Sequence, residues 1–522
     1  MEEKKLYRVE NQREQHGLWR DFDGHLSPIF DKLTDGAVKD LPMGDSPLYR
    51  ADGSKWFSAC ETPEMLTHWF SDGDIKELVK LGYGVYEFTA TNYKLVSNFE
   101  TIFARDSVKE CRQISYKEIW KDRDMKFRPI VKSLLDTDLY KFNMNQVMFH
   151  KHTNLSGKYV FKCRNEGIVF TKEMLDEINA QIDNLCTMTF TKEEIAYLHT
   201  IRFLKPDYIE FLRIWRPLRD YVDVKLNDAG KLSIEVTGPL YGAMQFEIYL
   251  LEIVSEVYFR FMYADSYDSL VAEAKKRLLD KIEGFKSGKY TFSFADFGAR
   301  RRFSGDFQDW ALSQLKDLPN CVGTSDVYFA MKYGMKPIGT YAHEFVQMYQ
   351  GIPTIPLAYT NHAALEDWFD EYRGDNGTAL TDTITTDLFL KDFDYLQARV
   401  YSGVRHDSGD PFEWGEKIIA HYKKLGIDPT TKTLLFSDSL DFDKAQQIYA
   451  YFKYRTKVAF GIGTFVMNDS GITPLNIVIK LQYVNGRPVA KLSDCDGKTM
   501  CEDPEYVKYL RNAIEFRLKE EK

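Results

Sequence analysis

These 522 residues contain no C-x-x-C, no His-x-x-x-His, no G-x-x-x-x-G-K-[ST] and no G-x-G-x-x-G. The first two absences remove the usual structural zinc sites, and the last two remove the common nucleotide-binding turns. No long apolar run is free of charge. The most apolar stretch, from Pro239 to Tyr258, carries Glu247, Glu252 and Glu256, so it reads as a buried helix and not as a membrane span. No basic stripe offsets the net charge of −9, which argues against general binding of nucleic-acid backbones. The seven cysteines are odd in number and scattered from Cys60 to Cys501, the pattern of reduced thiols and not of a disulfide framework. The opening MEEKKLYRVE lacks the apolar core of a signal peptide; together with the cysteines this sets the expectation of a cytoplasmic protein. Internal repeats and low-complexity segments are also missing.

What is present is ample core, 44% hydrophobic and 15% aromatic, for two or three domains. Three segments share one build: GVRHDSGDP (403–411), LLFSDSLD (434–441) and AFGIGTF (459–465). Each is an apolar run that breaks into Ser, Thr, Gly and Asp, so a strand ending there presents N–H groups and hydroxyls to an anionic ligand. TFSFADFG, NCVGTSD, PIGTYAH and TALTDTITTD precede them with the same strand-then-polar-turn pattern, and helical stretches such as DFQDWALSQL, HEFVQMYQ and KAQQIYAYFKY lie between several. The expected fold is α/β: an irregular β/α barrel domain over 271–470, packed on an α+β domain over 130–270. The tail LNIVIKLQYVNGRPVAKLSD predicts a hairpin around Val484–Asn485–Gly486–Arg487, so 471–522 is expected to complete the α+β domain. Residues 1–125 form a separate small α+β block, set apart by the charged connector YKEIWKDRDMKFRP.

Three places carry candidate chemistry. In FADFGARRRFS, Arg300 and Arg301 follow a strand and a glycine, where guanidinium forks suit phosphate or carboxylate; a solvated surface run is the alternative. In PIGTYAHEF, His343 stands where a strand meets a helix, as base, nucleophile or structural residue. GVRHDSGDP combines Arg405, Asp407 and Asp410 around Ser408–Gly409, a mixture fit for phosphate, Mg²⁺ or a ribose diol, while His406 points the other way. Asp326 and Asp382 read as helix caps, and Tyr140 in LLDTDLYKFNM as core.

Taken in order, LLDTDLYKFNM, FADFGARRRFS, GTSDV, PIGTYAHEF, ALTDTITTD, GVRHDSGDP, LLFSDSLD, AFGIGT and VAKLSDCDGK resemble nicotinate phosphoribosyltransferases of the bacterial type. The resemblance spans about 130–512. It implies formation of nicotinate mononucleotide and pyrophosphate from nicotinate and phosphoribosyl pyrophosphate, coupled to ATP hydrolysis, with Mg²⁺, in a homodimer. It also implies roles. Tyr140 would lie against the pyridine ring and Thr340 line the nicotinate site. Arg300 and Arg301 would hold substrate anions, and His343 would accept phosphate from ATP. Arg405 would contact nicotinate, Asp407, Ser408 and Gly409 would sit near the ribose, and Ser437, Gly461, Gly463 and Thr464 would cradle the phosphate. No protein metal ligand is assigned. Asp326, Ser439 and Phe465 depart from the pattern, where Asn, Asn and a polar residue are usual. The alternatives are a transferase for nicotinamide or another pyridine, and an inactive nucleotide-binding regulator. No membrane and no nucleic-acid partner is expected.

The first 125 residues fall outside that resemblance. Their plain reading is an accessory domain. A sharper one rests on Arg8 in LYRVE, Ser58 in WFSA and Glu100 in FETIF, whose order loosely resembles ADP-ribosyltransferase-type folds, implying that Arg and Ser would hold NAD.

Overall fold

β-Branched and aromatic residues at alternate positions make short strands throughout the chain. The structure is a computed structural model that describes residues 3–11, 13, 17, 56–70, 72–97, 100–116, 119, 128–494, 499 and 501–520. The chain divides into two compact units, Met1–Pro129 and Ile130–Lys522; most of the connector 117–127 lies outside the described residues.

The first unit holds two three-stranded antiparallel sheets. One orders β1 (Lys4–Glu10), β3 (Gly84–Ala90) and β6 (Val108–Ile114) with β3 central. The other orders β2 (Trp56–Ala59), β5 (Glu100–Ala104) and β4 (Tyr93–Ser97) with β5 central. A bridge joins them where Tyr7 and Cys60 exchange N–H···O bonds of 2.8 Å. The helix α1 (Asp72–Lys80) buries Ile75 and Leu78 against Val9, Phe70 and Tyr83.

In the second unit, DTDLYK opens α2 (Leu139–Lys151). An antiparallel five-stranded sheet contains β7 (Ser156–Cys163), β8 (Val222–Leu226), β9 (Leu232–Pro239), β16 (Ile477–Val484) and β17 (Arg487–Pro488), in the order β17-β16-β7-β9-β8. The C-terminal hairpin therefore lies beside a strand more than 300 residues earlier in sequence. α3 (Phe246–Met262) is the apolar helix, buried along nearly all its length, and α4 (Tyr267–Lys286) follows it.

Six parallel strands form the other sheet: β10 (Phe294–Asp296), β11 (Cys321–Thr324), β12 (Thr378–Leu380), β13 (Gly403–His406), β14 (Thr433–Phe436) and β15 (Lys457–Ile462), ordered β11-β10-β15-β14-β13-β12. Because all run parallel, their C-terminal polar turns gather at one end, the arrangement on which β/α barrels build sites. PIGTYAH is not a strand, contrary to the sequence reading. It makes one bridge, Thr324–Pro337, and then runs irregularly to α5 (His343–Tyr349). It links the two outer strands all the same, with Ile338 N–H on the Thr324 carbonyl (2.8 Å) and the Tyr341 hydroxyl accepting from Leu380 N–H (3.1 Å). One main-chain hydrogen bond on one side and one side-chain contact on the other stand in for a ladder, which makes the barrel irregular. One apolar core runs through this unit from Ile130 to Ile514.

Candidate active site

At the C-terminal end of the parallel strands lies a cavity of about 630 Å³, in the usual range of small-molecule sites. Tyr140, Arg300, Arg301, Thr340, His343, Arg405, Asp407, Ser437, Gly461, Gly463 and Thr464 all line it. Ser408 and Gly409 do not. The Ser408 hydroxyl turns behind the wall to donate to Asp382 (2.5 Å) and accepts from Ser493 (3.0 Å), because the chain leaves β13 in a turn toward the helix 411–424.

His343 starts α5, is buried, and approaches Asp382 Oδ1 at 2.9 Å and Asp407 Oδ2 at 3.5 Å through Nε2. Burial, helped by the nearby Lys491 ammonium, pushes its pKa down to about 4 against the pull of the two carboxylates. The imidazole is therefore neutral at pH 7. With Nε2–H donated to Asp382, Nδ1 carries the lone pair. Burial pushes the Asp382 carboxyl up, but His343, Lys491 (3.0 Å) and Ser408 outweigh it and hold it well below the usual range. Asp407 is likewise held low, burial being outweighed first by Arg405, and it accepts from the Ser437 hydroxyl at 2.9 Å. Arg405 donates NH1 to the Tyr341 carbonyl at 3.2 Å, which ties it to the irregular segment.

The three consecutive arginines separate into two jobs. Arg300 and Arg301 face the cavity; Arg301 is pushed down to about 10 by burial and by the charges of Arg300 and Arg164. Arg302 is fully buried, paired with Asp136 (2.6 Å) and Glu252 (3.2 Å). Asp326 stands beside it at 3.9 Å and also caps the helix 327–333 through Phe329 N–H. Those three carboxylates converge as metal ligands might, but the guanidinium already occupies their midst.

Glycine is required on the opposite wall. A Cβ on Gly461 would lie 2.2 Å from the Phe297 ring, and one on Gly463 would lie 2.7 Å from the Phe297 carbonyl, so the β15 turn can approach a ligand only without side chains. Ser439 adopts φ +49°, a region Asn tolerates more readily than Ser, and Phe465 is 40% exposed at the rim.

The sequence reading missed several groups. Asp382, read as a cap, instead orients His343. Lys480 and Lys491 arrive on the C-terminal hairpin and line the cavity; burial pushes Lys480 down to about 8. The signal for Lys480 was a charge set into the mostly apolar β16 run IVIKLQYV. Glu247, used above to exclude a membrane span, is buried against Lys141 at 2.6 Å beside the cavity.

In the first unit, Arg8 donates Nε to Glu10 (2.9 Å) and NH1 to the Ser58 carbonyl (2.6 Å). Glu100 opens β5 next to the Ala59–Thr101 pair. Burial first, and then the Glu100 charge, push the Cys60 thiol up to about 12, while Arg8 pulls it down.

Residues 292–518 match the model of the nicotinate phosphoribosyltransferase (NAPRTase) family, and residues 135–255 that of the nicotinate phosphoribosyltransferase N-terminal domain. The chain is similar to the nicotinate phosphoribosyltransferases of Chromobacterium violaceum (46% identical over 396 residues) and Acinetobacter baylyi (44% over 399 residues), each match covering 74% of this chain and 97% of the relative. Among solved structures it is similar to nicotinate phosphoribosyltransferase from Vibrio cholerae, with a TM-score of 0.70 and 39% identity over 74% of this chain and 94% of that one. That from Porphyromonas gingivalis gives 0.66 and 34% over 74% and 100%. Neither family model reaches the first 134 residues.

Proposed function

Since the chain belongs to the nicotinate phosphoribosyltransferase family, we propose that it joins nicotinate to phosphoribosyl pyrophosphate, giving nicotinate mononucleotide and pyrophosphate for NAD salvage, and couples this to ATP hydrolysis through phosphorylation of His343. The observation that carries the coupling is a neutral imidazole, braced by Asp382 through Nε2, in a cavity rimmed by cations.

The pyridine nitrogen of nicotinate is itself the nucleophile, so no side-chain base is needed. Its attack on C1 of the ribose breaks the bond to pyrophosphate, and positive charge develops on the sugar while negative charge develops on the leaving group. Arg300, Arg301, Lys480 and Lys491 are among the cations available to the leaving group. Arg405 pairs with the nicotinate carboxylate and Tyr140 lies against the ring. Ser437, Gly461, Gly463 and Thr464 take the 5′-phosphate. Holding these groups in register supplies most of the rate. Asp407, ionised and facing the cavity, fits Mg²⁺ carried by the pyrophosphate, where the ion would offset leaving-group charge. In the coupling step Nδ1 attacks the γ-phosphorus of ATP, the bond to the β-phosphate oxygen breaks and ADP leaves; Asp382 stabilises the resulting imidazolium. Charged phosphohistidine then favours the substrate-binding arrangement until its hydrolysis accompanies product release. The family resemblance supports a cytoplasmic homodimer as the working form.

His343→Ala is expected to abolish ATP stimulation while leaving slow, ATP-independent formation of nicotinate mononucleotide. Full ATP coupling in this variant would remove His343 as the acceptor, and no product with any pyridine base from the unmodified protein would favour a binding role.

A second reading concerns the first unit, where Arg8, Ser58 and Glu100 occur on neighbouring strands: binding of NAD or a related nucleotide. The weight against it is that Arg8 already spends two donors on Glu10 and Ser58. Calorimetry on folded residues 1–129 with NAD, ADP-ribose or nicotinate mononucleotide is expected to give heat; none with any of the three retires the idea.

A further inference from the structure

The turn that follows β15 buries Val466 and Met467 in the core, yet at its outer side it carries the phosphate-facing residues Gly463 and Thr464 and the exposed Phe465. Its backbone closes on itself through Met467 N–H to the Gly463 carbonyl (3.0 Å) and Asn468 N–H to the Thr464 carbonyl (2.8 Å). A return of this kind is too short to be rigid alone. Two contacts tie it to the arginine wall: the Asn468 amide donates to the Arg301 carbonyl (2.8 Å), and Phe303 N–H donates to the Met467 carbonyl (2.9 Å).

The turn's polar side is held from α4, a helix to which the sequence reading gave no role. Asp469, at the end of the turn, accepts from Lys281 Nζ at 2.6 Å and from Arg277 NH1 at 3.1 Å. Lys281 Nζ also donates to the Phe465 carbonyl. Lys281 and Arg277 stand one helical turn apart and Arg277 is braced by Glu273 at 2.8 Å, so both cations project from one face of α4. Lys281 is mostly buried at 17% side-chain exposure, and Asp469 at 21%, so this pair is screened less than a surface bridge. The lysine spans the turn, holding residue 465 with one hydrogen and residue 469 with another.

We infer that Lys281, with Asp469 and Arg277, is a positioning clamp that fixes the 463–469 turn and thereby sets affinity for the phosphoribosyl donor. This rests on the transferase reading above, and it assigns the clamp no contact with substrate. Losing it would let Gly463 and Thr464 drift from the position the donor phosphate needs, while the nicotinate side, built from Tyr140, Thr340 and Arg405 on other elements, stays in place.

The test compares Lys281→Met, Asp469→Asn and Lys281→Arg in the full chain. For Lys281→Met and Asp469→Asn the KM for phosphoribosyl pyrophosphate is expected to rise about tenfold, with KM for nicotinate within about twofold. Lys281→Arg, which keeps a cation and more than one donor, is expected to recover most of the donor affinity. Calorimetry with phosphoribosyl pyrophosphate alone measures the same loss without turnover. If the unmodified protein makes no product, the transferase reading fails, and the calorimetric comparison still decides the clamp. Equal changes for both substrates, unchanged donor affinity in folded variants, or no rescue by arginine overturns it. Asp469→Asn, the milder change, remains usable if Lys281→Met does not fold.

Discussion

The two units treat buried arginine differently. In the first, Arg8 and Arg105 share one fully buried acceptor, Glu10, at 2.9 and 3.0 Å, and both guanidiniums lie over Phe57 at 5.1 and 5.4 Å. Their charge helps to join two small sheets whose apolar residues, among the described ones, form three separate clusters. In the second, a continuous core already holds the fold, and of the three consecutive arginines Arg302 does comparable structural service. Its neighbours Arg300 and Arg301 are left facing a cavity among Lys480, Lys491 and Arg405. Six cations, Arg164, Arg300, Arg301, Arg405, Lys480 and Lys491, line that cavity beside the carboxylates of Asp138, Glu247, Glu344, Asp407 and Asp438, and gathering cations this closely costs stability, so such a cluster fits an anionic ligand. A guanidinium matched by carboxylate, carbonyl and ring signals architecture.

The largest expected effect tests the structural half of that contrast. Arg302→Ala leaves the buried Asp136 carboxylate without its bidentate counter-ion and is expected to destabilise the second unit by about 3–5 kcal/mol. Calorimetric melting should show that transition moving down while the first unit's stays.

Acid should separate the units next. His343 has a folded pKa of about 4 against about 6.5 unfolded. The unfolded state thus binds more protons between those values, and the second unit's stability, complete above 6.5, falls on acidification through this window by on the order of 3 kcal/mol. In the first unit Glu87 is held at about 2, chiefly by hydrogen bonds from Arg112 that outweigh burial, so its contribution persists until the pH drops below about 4.5. Loss of the second unit's signal before the first's, followed by circular dichroism on the separated units, is the expected order. The His343→Ala variant should flatten the upper window.

Arg405→Ala is expected to weaken nicotinate use by about 1.5–3 kcal/mol and to spare donor binding, read by titration of each substrate; equal losses would assign Arg405 to the phosphates. Smallest of all, a chain starting at residue 130 should retain transferase activity within about twofold, since the matched relatives are spanned by about three quarters of this chain. A larger loss would mean that the first unit contributes to the reaction.

The order and residue types of the strand-end turns determined much of this protein from sequence alone. Parallel β/α connectivity, local and repeated, sends every strand's C-terminal turn to one end, so Arg405, Asp407, Ser437 and the Gly461–Thr464 turn were legible as neighbours before any coordinate. Long-range side-chain choices were not. Which of three adjacent arginines turns inward depends on carboxylates 166 residues away at Asp136 and on α3. Asp382 looks like a cap until folding sets it beside His343, and PIGTYAH looks like a strand until its only ladder partner proves to be Thr324. Lys480 and Lys491 reach the cavity only because the last hairpin pairs with β7. Periodicity records which face of an element is buried; what buries it, and which charges it meets there, is decided by packing between segments the sequence keeps far apart.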